Sequence, residues 1–229
     1  MSFATRSYQK ELLDGDDIPF EDIRTNMQEL NTINKLLGGH RITCKGVDQF
    51  LAKDRITIAE IGCGGGDNLA AISKMLQEKN TRFELSGVDI KPECIAYAKE
   101  RSSDDINWIC SDYRNAKWVD EKPDVIFSSL FCHHFTEEQL VDQLIWMKQN
   151  SRKGFFINDL QRHPLAYYSI KLLTKLFSRS YLVKNDAPLS VQRALVRKEW
   201  EQVLATAGIK NYTIKWQWAF RYLIVVKHG

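Results

Sequence analysis

The sequence predicts an α/β fold, a doubly wound sheet of about seven strands that is mostly parallel and ends in an antiparallel C-terminal hairpin. Three observations predict it. Short apolar runs alternate with amphipathic helical stretches from residue 56 to residue 157, the pattern of parallel strands joined by crossover helices. A glycine cluster, Gly62-Cys63-Gly64-Gly65-Gly66, separates the first apolar run from the first of those helices. The last two apolar runs follow one another with no helix between them, so they pair as an antiparallel edge.

Each element has its own signal. The first twenty residues are polar and include the turn-like Asp14-Gly15-Asp16-Asp17. From about residue 21, Ile23, Met27, Leu30 and Leu37 recur at helical spacing, and Gly38-Gly39 is a fitting stop. A second short helix is expected over 45–53. The run 56–61 reads as a buried strand, and 67–79 as a helix with Leu69, Ile72 and Leu76 on one face. A strand over 83–90 leads to Pro92, which opens a helix running to about residue 101. Strands follow over 106–110 and 124–129. Thr136 and Gln139 form a capping box before a helix that turns Leu140, Leu144 and Met147 inward. A strand covers 155–157. The segment 160–196 breaks the rhythm: Pro164 opens a helix with Leu165, Tyr168, Leu172 and Leu176, and a loop with Asn185, Asp186 and Pro188 is expected after it. A helix over 197–207 ends at Gly208, and strands over 209–218 and 220–226 make the hairpin. The chain is thus read as one domain over 1–229, with an N-terminal helical segment over 1–53 and a helical lid inserted over 160–196.

Composition narrows the class. At 229 residues, 44% hydrophobic and 27% charged, the chain has the balance of an ordinary globular domain. No stretch reaches the roughly 18 uninterrupted apolar residues of a membrane helix, and the N-terminus lacks a secretory apolar core, so a cytoplasmic location is expected. Cys44, Cys63, Cys94, Cys110 and Cys132 form no C-x-x-C pair, which argues for reduced thiols over a disulfide framework or a zinc site. The net charge of +3 is too small to imply nucleic-acid binding. The segment 160–198 nevertheless carries eight basic residues against Asp186 alone, a local +7 that leaves −4 on the rest.

The chemistry concentrates at the strand ends. Glu60-Ile-Gly62-Cys63-Gly64-Gly-Gly66 follows a strand and opens a helix; such glycines allow positive φ and close ligand approach, and the helix N-terminus offers free N–H groups, with Asp67 or Asn68 as its cap. The dinucleotide pattern G-x-G-x-x-G fails because Asp67 occupies the third glycine position, and no G-x-x-x-x-G-K-[ST] loop is present. Asp89 ends the next strand, where a carboxylate can accept both hydroxyls of a ribose or, alternatively, cap the helix at Pro92. Asp112 and Tyr113 follow the third strand.

These elements together resemble class I S-adenosylmethionine-dependent methyltransferases, a family with a Rossmann-like fold, and the layout is similar to the ubiquinone/menaquinone-type branch. The motifs cover about residues 56–159. The resemblance implies that Glu60, Gly62, Cys63, Gly64 and Gly66 lie under the methionine and ribose of the cofactor. It implies that Asp89 holds the ribose, Ile90 faces the adenine, Asp112 takes its amino group with Tyr113 beside it, and Ser129 and Leu130 border the transferred methyl. Ser128-Ser129-Leu130-Phe131 stands where enzymes methylating base amino groups carry N/D-P-P-Y/F, so that substrate class is disfavoured.

His133 and His134, after the fourth strand, are the candidate bases, since a histidine near neutral pKa can take the proton of a phenol or enol. Adjacent residues point apart, so one of them, His133 in preference, is expected to face the acceptor. Asp159 and His163 are secondary candidates that can equally cap the helix at Pro164. No His-x-x-His pair is present, and no metal is expected. Tyr167, Tyr168, Leu172, Leu173, Leu176 and Phe177 can line a pocket or pack the lid, and Leu36 to His40 can fold over the cofactor. The reading is a methyltransferase acting on oxygen or carbon of a small aromatic, polyketide-like or quinone-like acceptor, free or bound to a carrier protein or coenzyme A, in a monomer or homodimer, with peripheral membrane contact through the basic segment as an option. The alternatives are a methyltransferase of a protein or RNA, and a non-catalytic or NAD-binding protein of the same fold.

Overall fold

The computed structural model describes residues 3–15, 17–51, 55–102, 106–118 and 121–228. Seven strands form one sheet in the order β3-β2-β1-β4-β5-β7-β6. β1 (Arg55–Ile61), β2 (Arg82–Asp89), β3 (Ile106–Cys110), β4 (Val125–Ser129) and β5 (Gly154–Leu160) run parallel. β7 (Arg221–Lys227) lies antiparallel to both β5 and β6 (Tyr212–Gln217). β4, β5 and most of β7 are buried along their length, as strands covered on both faces must be. One apolar layer joins Ile126, Phe155 and Ile224 to α5 (Glu137–Asn150) and α8 (Arg197–Thr206). The other joins Ile58, Phe127 and Phe156 to α2 (Gly39–Asp48) and α3 (Asp67–Glu78).

The strand order reverses between β1 and β4, so their carboxyl ends splay apart and leave a cleft. Register brings the relevant residues to one edge: Ile61 pairs with Val88, Asp89 with Cys110, and Ser129 with Asn158.

Several expected boundaries shift. α1 spans Phe20–Leu36 and stops at Gly38, which is left-handed with φ 76°. Gly39 does not extend that stop but begins α2, which therefore starts six residues before the helix expected over 45–53; residues 52 and 53 of that span, and Asp16 of the expected turn, lie outside the described residues. The helix after the glycine loop is capped by Gly66 itself, without a side-chain bond from Asp67 or Asn68.

The largest correction concerns Asn185, Asp186 and Pro188. They lie inside a helix, α7 (Tyr181–Arg193), which follows α6 (Pro164–Phe177). An interior proline removes one N–H and crowds the preceding turn. Here Leu182, Val183, Leu189 and Val191 are buried on one helix, and that packing outweighs the local penalty. The turn at Thr136 forms as expected, with its capping box to Gln139.

Candidate active site

A cavity of about 640 Å³ opens at the cleft. Its floor is Glu60, Gly62, Cys63, Gly64, Asp89 and Ile90, and its far end holds Ser129, Leu130, His133 and His134. α1 contributes Met27, Leu30 and Ile33, α6 contributes Ile170 and Leu173, and the β6–β7 turn contributes Trp218 and Phe220. Leu37 and His40 also line it, so the N-terminal helices do roof the glycine loop.

The glycines serve two purposes. A Cβ at Gly62 would lie 2.2 Å from the Phe131 ring, and φ is +66° there; this glycine lets two loops of the protein pack. At Gly64, φ is +50° and an added Cβ would meet nothing within 4 Å, so this is the position that leaves room for a ligand. The Asp89 carboxylate accepts the Gly64 N–H at 2.8 Å and the Lys91 N–H at 2.9 Å. Two more lone pairs remain on it. Burial pushes its pKa up, against the pull of those N–H groups. Glu60 is buried, accepts from Asn68 Nδ2 at 2.9 Å through Oε1, and leaves Oε2 without a partner. Burial raises its pKa well above the ordinary carboxyl range.

Leu130 holds φ +53°, a strained value for a leucine. Its N–H is tied to the Asn158 carbonyl at 3.0 Å, which fixes the exit of β4 at the cavity wall.

Asp112 and Tyr113 stand apart from that wall. Asp112 caps a short turn and holds Arg114 through Nε at 3.0 Å and Nη2 at 2.5 Å, and these hydrogen bonds lower its pKa. Tyr113 packs edge-on against Trp146 at 5.0 Å and against Phe131 and Phe135. Of the expected lid lining, only Leu173 reaches the cavity. Tyr168, Leu172, Leu176 and Phe177 are exposed, and Tyr167 is buried against Phe3 and Val191. The basic segment is likewise less of a surface than its charge suggests: Arg162 is buried on Glu199 at 2.5 Å, and Arg193 is buried among carbonyls.

The histidine pair departs from expectation in that both rings line the cavity, with centroids 4.4 Å apart. An acid hydrogen-bonds the first ring, and another lies beside the second without a hydrogen bond. His133 Nδ1 lies 2.8 Å from Asp159 Oδ1, and Asp159 Oδ2 also accepts the His133 N–H at 3.1 Å. His134 Nδ1 lies 3.2 Å from Asp14 Oδ1. Burial pushes both carboxyls up, but the histidines outweigh it: Asp159 is held below its usual range and Asp14 at about 2. Asp159 thus holds the His133 ring in place, whereas His163 caps α6 by accepting the Leu165 N–H at 3.2 Å and stacks on Phe220.

Residues 3–15 form a strap across the loop that carries the pair, a contact that no local pattern in the sequence announces. Arg6 donates to the His133 carbonyl at 2.9 Å, and Arg193 to the His133 and His134 carbonyls at 3.1 and 2.8 Å. Asp186 accepts the Leu12 and Leu13 N–H groups at 2.8 and 3.0 Å. The strap brings Glu11 into the site, where burial raises its pKa against the pull of His134 and Ser190.

Residues 58–154 match the family model of a methyltransferase domain. A 99-residue segment is 33% identical to malonyl-[acyl-carrier protein] O-methyltransferase of Anoxybacillus flavithermus, covering 43% of this chain and 36% of that protein. The fold matches that of a plantazolicin methyltransferase in complex with SAH, with a TM-score of 0.68 at 19% identity over 89% of this chain and 90% of the other. It also matches human N-acetylserotonin methyltransferase in complex with SAM, with a TM-score of 0.65 at 17% identity over 91% of this chain and 56% of the other.

Proposed function

We propose that this chain, whose matched region is a class I S-adenosylmethionine-dependent methyltransferase domain, methylates an oxygen or carbon of a small apolar acceptor in the cytoplasm. The observation that carries the reading is one cavity with a nucleoside seat at one end and an oriented histidine pair at the other.

The residues present fit the cofactor. Glu60 has a buried carboxylate oxygen without a partner, Gly64 leaves open space, and Asp89 keeps lone pairs for the two ribose hydroxyls. When bound, S-adenosylmethionine supplies an activated methyl group on a sulfonium. Glu60, Gly62, Cys63, Gly64, Asp89, Ile90, Ser129 and Leu130 are the proposed seat; Gly66, expected among them, lies outside the cavity wall, capping α3 with its open side against Trp108. Asp112 and Tyr113 would have to be recruited from outside the present wall.

This chain's own work is then alignment and deprotonation. Leu130 and Phe131 fix the passage between the two ends, and alignment alone accounts for much of such a reaction. His133 and His134 mark where the acceptor loses its proton, the first oriented by its hydrogen bond to Asp159 and the second beside the charge of Asp14. Met27, Leu30, Ile33, Ile170, Leu173 and Trp218 favour an apolar acceptor. The similarity to a malonyl-[acyl-carrier protein] O-methyltransferase supports an oxygen acceptor and leaves a carrier-bound one open.

Calorimetry with S-adenosylhomocysteine and, separately, NAD tests the reading. Binding of the former alone is expected; binding of NAD alone would end it.

A further inference from the structure

Glu11, His133 and His134 bring three metal-ligating atoms within 4.8 Å of one another. His133 Nδ1 is hydrogen-bonded to Asp159 Oδ1 at 2.8 Å, and His134 Nδ1 lies 3.2 Å from Asp14 Oδ1, outside hydrogen-bond geometry. A carboxylate accepts and does not donate, so neutral His133 carries its hydrogen on Nδ1 and a lone pair on Nε2, and the charge of Asp14 favours the same tautomer in His134. Both Nε2 atoms point at one group: His133 Nε2 is 3.6 Å from Glu11 Oε1, and His134 Nε2 is 3.9 Å from Glu11 Oε2. Two imidazole lone pairs facing a carboxylate at these separations are too far for hydrogen bonds and mutually repulsive without a cation between them. A tetrahedral ion held at about 2.1 Å spaces its ligand atoms about 3.4 Å apart; the separations here, 3.6 and 3.9 Å to Glu11 and none above 4.8 Å, need closing movements of a few tenths of an ångström to about 1.4 Å.

The surroundings agree. Asp159 at the far nitrogen of His133 fixes its tautomer and ring orientation, as in carboxylate–histidine–metal arrangements, and Asp14 places a negative charge 3.2 Å from the far nitrogen of His134. Around the cluster, Glu11, Asp14, Glu137, Asp159 and Asp186 face the guanidiniums of Arg6, Arg193 and Arg221, an excess of two negative charges. Arg193 Nε lies 3.9 Å from Glu11 Oε1 and Ser190 Oγ donates to the same oxygen at 2.7 Å, so both brace Glu11 without standing between it and the rings.

We propose that Glu11, His133 and His134 bind a divalent transition-metal ion, zinc in the first place, at the acceptor end of the cavity. Two nitrogens and one carboxylate leave a coordination position open, and an enol or phenol oxygen of the acceptor would occupy it; with the ion present its proton would pass to solvent water, and the histidines would act as ligands in place of bases. The proposal rests on the methyltransferase reading for that last role, but not for the binding itself. The His-x-x-His criterion missed the site because Glu11 comes from the strap.

The test titrates metal-stripped protein with Co²⁺, following its visible absorption, and with Zn²⁺ by calorimetry, each alongside a calorimetric titration with S-adenosylhomocysteine. The expected result is one ion per chain in the wild type. Glu11→Gln and His134→Gln should lose the site, and Asp14→Asn should weaken it on the order of 10- to 100-fold, all three keeping S-adenosylhomocysteine affinity, which also reports that they fold. A wild type that binds S-adenosylhomocysteine but takes up no Co²⁺ would overturn the metal site alone. Equal Co²⁺ uptake by wild type, Glu11→Gln and His134→Gln would overturn it too. A wild type that takes up the ion in a Glu11-dependent way but ignores S-adenosylhomocysteine would leave the metal site standing and remove the methyltransferase reading.

Discussion

Asp89 is the residue on which cofactor recognition turns. Removing a carboxylate that makes charged hydrogen bonds costs about 1.5–3 kcal/mol, so Asp89→Ala should weaken S-adenosylhomocysteine binding roughly 10- to 150-fold in calorimetry. The sign of the pH effect follows from its environment. Burial raises the Asp89 pKa, and ribose is held by the carboxylate form. Affinity is therefore complete above that raised pKa and falls as pH drops through it, a decline starting above the ordinary aspartate range. Asp89→Asn, which cannot titrate, should bind weakly at every pH; a wild-type titration with no acid limb would remove Asp89 from the seat. Asp159 makes a second residue-scale case. It touches His133 rather than the cavity, so Asp159→Asn should lower kcat by at least about 100-fold while S-adenosylhomocysteine affinity stays constant. A loss shared equally by both would mark a merely structural role. Asp89 was legible in the sequence because a strand, an acid and a glycine loop follow each other in order. Glu11 was not, since nothing local ties a polar N-terminal residue to a loop after the fourth strand.

At the scale of elements, α6 shows what periodicity can and cannot tell. Its apolar residues run almost all round the helix, which hides which side is buried. The structure turns Tyr167 inward, against Phe3 at 5.4 Å, and leaves Leu176 63% exposed. Tyr167→Ala should cost about 3 kcal/mol or more in denaturant unfolding, the scale of a deleted core aromatic. Leu176→Glu should stay within about 0.5 kcal/mol, since both are good helix formers and the site is on the surface. Equal losses would mean that α6 packs by the opposite face. The strands and the helices α3, α4 (Pro92–Arg101) and α5 were legible because local signal and packing agree: Pro92 sits at a helix start and Thr136 caps one. α7 was hidden because Pro188 gives a breaker signal that burial of its neighbours overrides. The charge of 160–198 misled for a related reason. Composition counts Arg162 and Arg193 as surface, whereas the fold spends both as buried hydrogen-bond donors.

The whole molecule is held closed by contacts distant in sequence. The parallel core supplies the seat, but the acceptor end exists only because residues 3–15 cross from α7 to the histidine loop. Asp186 is the anchor of that crossing, since its two oxygens take the Leu12 and Leu13 N–H groups while Arg6 and Arg193 hold the loop below. Asp186→Ala leaves two backbone donors unpaired, which costs about 1–3 kcal/mol, and this energy is lost where the strap meets α7 rather than in the sheet. The strap should therefore open locally before the domain unfolds. Lys10 is exposed on the strap, so limited trypsin digestion should cut there faster in Asp186→Ala than in the wild type, at unchanged rates elsewhere. Because the same cavity wall continues from the strap to the glycine loop, a ligand that binds the closed form best must slow that cut. Saturating S-adenosylhomocysteine should accordingly protect Lys10 in both proteins. Protection that is absent in the wild type would show that the strap and the cofactor seat move independently, and that the two ends of the cavity are joined by shape alone.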